Sequence, residues 1–178
     1  MTHPNQPTAE PELARARMDT PLGPLTIVAS PAGLRSIRWD RGDEADATTA
    51  SAVLRDAVEQ LDEYFAGRRL EFDLPLDEVG TEFQRSTWAV LRTIPYGRTI
   101  SYGEQAGRLG DARKARAVGG ANGRNPLSIV TPCHRVIGAD GTLTGFASGT
   151  DRKRWLLDHE LAVLGLGTAS LPVLAERA

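Results

Sequence analysis

The chain has 178 residues, 40% of them hydrophobic and 25% charged, which excludes a protein disordered throughout and leaves room for one domain or two small ones at about 150 residues each. It has no apolar run near the ~18 residues of a membrane span, no basic-then-apolar leader in Met1–Glu10, and a single cysteine, Cys133, with three histidines, too few for an internal disulfide or a standard Cys/His zinc cluster. The net charge of −2 hides an asymmetry: residues 1–80 carry eight Lys/Arg against fifteen Asp/Glu, and residues 81–160 carry twelve against seven, as an acidic supporting half joined to a phosphate-facing one would show, with chance clustering the alternative.

In chain order, residues 1–17 read as a tail and residues 18–78 as a small α+β domain. Leu25–Ala29 and Leu34–Trp39 are β-like runs around Ser30-Pro31-Ala32-Gly33 and predict a hairpin. Arg41–Thr49 is a polar loop. Val53, Ala57, Leu61 and Phe65, beside Leu54 and Val58, repeat at helical spacing up to Gly67, and a short strand is expected over Leu70–Leu74. Residues 79–165 form the second unit, with a tail over 166–178. Thr81-Glu82-Phe83-Gln84 is a capping box opening a helix whose apolar face is Phe83, Thr87, Val90, Leu91 and Ile94. Ser101-Tyr102-Gly103-Glu104 is a second capping box, for a short helix to Leu109. After Gly110-Asp111, with Asp111 as cap, a further helix runs from Ala112 to about Ala121. The fold class is therefore α+β, with a hairpin-containing first half and a mainly helical second half that includes a helix-turn-helix. Its last helix carries Arg113, Lys114 and Arg116 among Ala115, Ala117, Gly119, Gly120 and Ala121. Two helical glycines cost about 1 kcal/mol each, and either tight internal packing or close approach of DNA accounts for them.

Thr131-Pro132-Cys133-His134-Arg135 puts the lone thiol beside an imidazole and a fixed positive charge, a neighbourhood that favours a reactive thiolate. A buried, inert cysteine is the competing reading. Successive residues of an extended strand face opposite ways, so a Cys133–His134 proton path needs a turn or an intervening water.

The company of this motif decides between them. Ile94-Pro95-Tyr96-Gly97-Arg98-Thr99-Ile100-Ser101-Tyr102-Gly103, Ala115-Arg116-Ala117-Val118-Gly119-Gly120-Ala121, Asn125-Pro126, Pro132-Cys133-His134-Arg135-Val136-Ile137-Gly138, Leu143-Thr144-Gly145 and Leu156-Leu157-Asp158-His159-Glu160 together resemble the O6-alkylguanine-DNA alkyltransferases over residues 80–160. The resemblance implies direct-reversal DNA repair, in which the alkyl group of O6-alkylguanine, with O4-alkylthymine a further candidate, moves irreversibly and once onto Cys133. It implies His134 as the base acting through water, Glu160 orienting the imidazole, Tyr102 as proton donor to the leaving guanine, and Asn125 tying the recognition helix to the active-site segment. Arg116 would fill the gap left by a flipped nucleotide, with Ser101, Arg113, Lys114, Ala115, Ala117, Gly119, Gly120 and Arg135 as further DNA contacts. Phe146, Ala147 and Ser148 would line the substrate pocket. The resemblance further implies double-stranded DNA with alkylated guanine as the partner, and a cytoplasmic monomer without metal, cofactor, membrane or required protein partner is expected. Thr131 and Phe146 depart from the family pattern, which has Ile or Val and Tyr there. A non-catalytic damage binder, a Cys-His hydrolase and a helix-turn-helix regulator are the alternatives. The first leaves Cys133 unexplained and the second the basic helix, and the regulator is favoured if Cys133 is buried and inert.

Overall fold

The structure, a computed structural model, describes residues 12–39 and 51–167. The expected Arg41–Thr49 loop and most of both expected tails lie outside the described residues. No helix among the described residues is long and apolar enough to cross a membrane.

Three antiparallel strands open the chain: β1 (Ala14–Met18), β2 (Leu25–Ser30) and β3 (Gly33–Trp39), paired in that order. The β2–β3 hairpin is the one read from the sequence. β1 is a correction, since the strand starts inside the stretch expected to be a tail. Ala14 pairs with Ala29 and Met18 with Leu25, so Ala14, Ala16 and Met18 share the face that meets the core while Arg15 and Arg17 are exposed. The period-two pattern is present, but alanine and arginine are weak strand formers.

The helix α1 (Ala52–Phe65) lies against this sheet and buries Leu54, Ala57, Leu61 and Tyr64, with Val53, Val58 and Phe65 partly buried against the same core, so the expected face points inward and Tyr64 is added to it. No strand forms over Leu70–Leu74. The chain passes β3 with one bridge between Leu34 and Leu76, and Leu34 N donates to the Pro75 carbonyl at 2.7 Å. Pro75 has no N–H to continue a ladder there.

The second half is built from α2 (Glu82–Leu91), β4 (Ile100–Ser101), α3 (Tyr102–Arg108), α4 (Ala115–Asn122), β5 (Val136–Ile137) and α5 (Thr150–Val163). Both capping boxes form, at Thr81/Gln84 and Ser101/Glu104. Asp111 accepts from Arg113 N, capping a single 3-10 turn over Ala112–Lys114 that leads into α4. On α2 the buried residues are Thr87, Trp88 and Leu91, while Phe83 stays 36% exposed. Trp88 takes the inward place because its indole donates to Ala121 O at 2.9 Å, locking α2 onto α4.

The two halves share one core. Leu127, Ile129, Val130 and Leu156 pack in the same cluster as the inner faces of the sheet and α1, and Ile37 N of β3 donates to Pro126 O at 2.8 Å. The first half therefore buttresses the segment that leads to Cys133.

Candidate functional site

Cys133, His134 and Arg135 form a 3-10 turn after Pro132. Both side chains are buried there, the imidazole against Glu160 and the thiol against the Asn125 amide. Cys133 is 9% exposed. The approach is a loop, residues 125–132, containing one unusual backbone: Ile129 has φ 74°, strain that a β-branched residue accepts only where its surroundings impose it. Asn125 is the loop's internal tie. Its Oδ1 accepts from Leu127 N at 3.0 Å, and its Nδ2 donates to Thr131 O at 2.7 Å and to Cys133 Sγ at 3.2 Å. Thr131, polar where the family is apolar, is buried and satisfied, its hydroxyl accepting from Arg92 at 3.2 Å.

Behind the thiol, Glu160 of α5 is fully buried and accepts from five donor atoms. They are His134 Nε2 at 2.8 Å, Arg135 Nη2 at 2.9 Å and Nε at 3.0 Å, Gly97 N at 2.8 Å and Tyr64 OH at 3.0 Å. Burial alone would raise its pKa, but the charges and hydrogen bonds of His134 and Arg135 outweigh it and bring the carboxyl down to about 2. Burial, against the pull of Glu160, also lowers the imidazole pKa of His134. The imidazole is thus neutral near pH 7, and Arg135 is the lasting ion partner of Glu160. Because an ionised carboxylate only accepts, Nε2 must carry the proton facing it. Nδ1 is left with its lone pair, and it meets no partner among the described residues. The imidazole is held as a base with its basic nitrogen free.

Two expectations are corrected here. The resting thiol is not favoured as thiolate: burial pushes the Cys133 pKa up, and Asn125 and the Lys153 charge offset that only in part. Arg135, expected at the DNA surface, is in the core. Its guanidinium pairs with Glu160, donates to Ile94 O at 2.7 Å and lies over the Tyr96 ring. A cation this enclosed is consumed by its buried partners.

Two residues without a sequence signal join the site. Tyr64 reaches Glu160 from α1, 96 residues away in sequence, and burial keeps its hydroxyl protonated. Lys153 of α5 is fully buried, its ammonium donating to Val136 O at 2.5 Å and Thr144 O at 2.7 Å. Desolvation lowers its pKa to about 8 against the opposing pull of Cys133, so it is a cation near the thiol. Tyr102 OH donates to the same Thr144 carbonyl at 2.8 Å. The next residue, Gly145, has φ 71°, and a Cβ there would lie 2.5 Å from the Tyr102 hydroxyl, so glycine is required at this start of the Phe146–Ala147–Ser148 loop. The Phe146 ring packs between the main core and the cluster that contains Cys133.

On the outer surface, Arg113, Lys114, Arg116, Ala117 and Gly120 are exposed, and Ser101, Ala115 and Gly119 are half-buried. Arg113 pairs with Asp111. A Cβ on Gly119 would make an ordinary 3.7 Å contact with Tyr102, and one on Gly120 would meet only the end of the Arg124 side chain at 3.7 Å. Internal packing therefore does not require glycine at either position.

Residues 82–162 match the family model described as "6-O-methylguanine DNA methyltransferase, DNA binding domain", and residues 13–78 the one described as "6-O-methylguanine DNA methyltransferase, ribonuclease-like domain". The chain is 45% identical over 150 residues to a methylated-DNA–protein-cysteine methyltransferase of Methanosarcina acetivorans, covering 82% of this chain and 96% of that one. It is 51% identical over 147 residues to one of Mycolicibacterium paratuberculosis, covering 80% and 89%. The crystal structure of Mycobacterium tuberculosis O6-methylguanine methyltransferase is similar with a TM-score of 0.77 at 45% identity, over 85% of this chain and 94% of that one. That of Mycobacterium tuberculosis OGT in complex with DNA gives 0.76 at 46% identity, over 84% and 93%. With the thiol, the imidazole and the carboxylate assembled as described and relatives this similar over nearly their full length, the chain belongs to the 6-O-methylguanine DNA methyltransferase family.

Proposed function

We propose that this chain repairs DNA by direct reversal, taking the alkyl group of O6-alkylguanine in duplex DNA onto Cys133, once per molecule. The observation that carries this is the buried array of Cys133, a neutral His134 with a free Nδ1, and ionised Glu160. The thiol proton passes to His134 Nδ1 through a water. The resulting thiolate, favoured by the Asn125 amide and the Lys153 charge, attacks the alkyl carbon. A carbon–sulfur bond forms while the carbon–O6 bond breaks, its electron pair leaving on guanine. Tyr102, seated on Thr144 O, gives a proton to the guanine anion, and through solvent His134 releases the thiol proton while Tyr102 regains the one it gave. A thioether offers no easy return to thiol, so the protein is a stoichiometric reagent. Against a hydrolase stands the exposed, basic, small-residue helix α4.

The test is the intact mass of the protein after incubation with a duplex holding one O6-methylguanine. One methyl per chain, with repaired guanine never exceeding protein, supports the reading. Repaired guanine in excess of protein, or no gain, overturns it.

The α4 surface belongs to the same proposal: Arg116 fills the stack vacated by the flipped nucleotide, and the glycines let the helix seat closely in the minor groove. Since neither glycine is needed for packing in this chain, Gly120→Ala is expected to stabilise the fold by up to about 1 kcal/mol while weakening duplex binding. Arg116→Ala is expected to lower duplex repair by tenfold or more, about 1.4 kcal/mol. Both variants should react with free O6-benzylguanine near the wild-type rate, because a free base needs no flipping. Equal losses on base and duplex would assign Arg116 to the pocket or the fold instead. A thermal melt alongside the two rates separates these outcomes.

A further inference from the structure

The loop that would line the alkyl pocket is tied to the first half through two side chains, Arg152 and Trp39. Arg152, in the first turn of α5, donates from Nη1 to Ser148 O at 2.9 Å and from Nε to Leu22 O at 3.1 Å. Its guanidinium also lies over the Trp39 ring, 5.3 Å from the centroid. Trp39, at the end of β3, makes an edge contact with Phe146, with ring centroids 6.2 Å apart. The acceptor at Leu22 is itself fixed. It lies in the β1–β2 turn, where Gly23 N donates to Thr20 O at 3.0 Å and the Thr20 hydroxyl returns a hydrogen bond to Gly23 O at 2.5 Å.

The loop needs such a tether. It runs between Gly145 and Gly149, both at positive φ, so its own backbone is permissive at both ends. The Gly145 end is pinned by Tyr102 and Lys153 on Thr144 O. At the Gly149 end the Arg152 contact reaches outside the loop and its helix. The buried indole N–H of Trp39 meets no acceptor among the described residues, so the ring is placed by its faces and edges and not by a hydrogen bond. An arginine stacked on an aromatic face while its N–H groups hold two carbonyls is a geometry that lysine or glutamine does not reproduce.

We propose that Trp39 and Arg152 are specificity-determining positioning residues: a strap from the sheet that holds the Phe146 loop close to Cys133 and so sets the size of alkyl group that can be transferred. Neither touches the reacting atoms. They act by fixing Phe146 and the Ser148 carbonyl, and a pocket wall held in place excludes large groups more than small ones. The inference rests on the alkyl-transfer reading above. Releasing the strap lets the loop move outward, which admits a bulky O6 substituent while orienting a methylated guanine slightly less well.

The test uses the full chain and two duplexes that are identical except for O6-methylguanine or O6-benzylguanine, with second-order transfer rates measured on each. A lost phosphate contact of Arg152 would lower both rates alike and cancel in their ratio. Arg152→Gln and Trp39→Leu are expected to raise the benzyl-to-methyl ratio fivefold or more, whereas Trp39→Phe, which keeps an aromatic face, stays within twofold of wild type. Arg152→Gln changes a half-buried site and keeps the measurement available if Trp39→Leu fails to fold. An unchanged ratio in Arg152→Gln, with wild type transferring normally, overturns the strap. Absence of transfer by wild type removes the functional reading, and the strap with it.

Discussion

Cys133→Ala protein is expected to gain no alkyl group from either duplex DNA or free base, while keeping its fold and most of its affinity for duplex. The loss is complete because no second thiol exists in the chain and the hydroxyl and amide groups nearby are poor nucleophiles beside a thiolate. The fold survives because removing one buried sulfur costs on the order of one buried methylene, ~1 kcal/mol. The Asn125 amide that donated to it keeps its stronger contact with Thr131 O, so no buried donor is orphaned. Duplex affinity survives because Arg113, Lys114 and Arg116, the cations assigned to DNA, are exposed while the thiol is buried. Intact mass and a gel-shift titration read the two halves of this expectation. A mass gain in the variant would move the acceptor elsewhere.

Glu160→Gln is expected to damage stability and chemistry together. Glutamine is nearly isosteric but neutral, so the buried guanidinium of Arg135 loses its counter-charge, a change that costs about 3–5 kcal/mol when one partner of an enclosed pair is removed. The chemistry suffers because the imidazolium formed when His134 takes the thiol proton is no longer stabilised. Transfer is expected to fall roughly a hundredfold, the scale of a general base. Its rise with pH should move upward, because thiolate must then form by ionisation of a thiol whose own pKa burial has raised. Stability carries a matching signature. A carboxyl depressed from an unfolded value of 4.5 to about 2 stabilises the fold fully above pH 4.5 and loses that contribution as pH falls towards about 2. Wild type should show this acid loss, and Glu160→Gln should lack it. Denaturant melts from pH 7 to 2 and a rate–pH profile measure both, and a profile identical to wild type would exclude Glu160 from the proton path.

Tyr64 and Lys153 show why such a site is only half legible in a sequence. The capping boxes at Thr81 and Ser101 and the Asp111 cap are signals of four and three residues whose hydrogen bonds close within a single turn, so they are written locally. The hairpin and α1 are likewise visible in their periodicity, although the fully buried aromatic at the end of α1 is Tyr64, with Phe65 only partly buried against the same core. The strand β1 was hidden because its pattern rests on alanine and arginine, and Pro75 stopped the expected strand at residues 70–74 from joining the sheet.

Residue identities by themselves determined the lone thiol and its histidine neighbour, the basic small-residue helix and the α+β class, because each rests on adjacent residues or a short period, whereas the acceptor role of that thiol rested on the family motifs spread over residues 80–160. Only the tertiary structure decided that Arg135 is buried against Glu160, that His134 presents Nδ1 and that the thiol rests protonated. It also decided that Tyr64 and Lys153 belong to the site. The physical reason is that burial and the charge of distant partners set protonation and hydrogen-bond direction. Glu160 is 25 residues from Arg135 along the chain and 96 from Tyr64, and the Tyr64 contact exists only once the two halves close on one core.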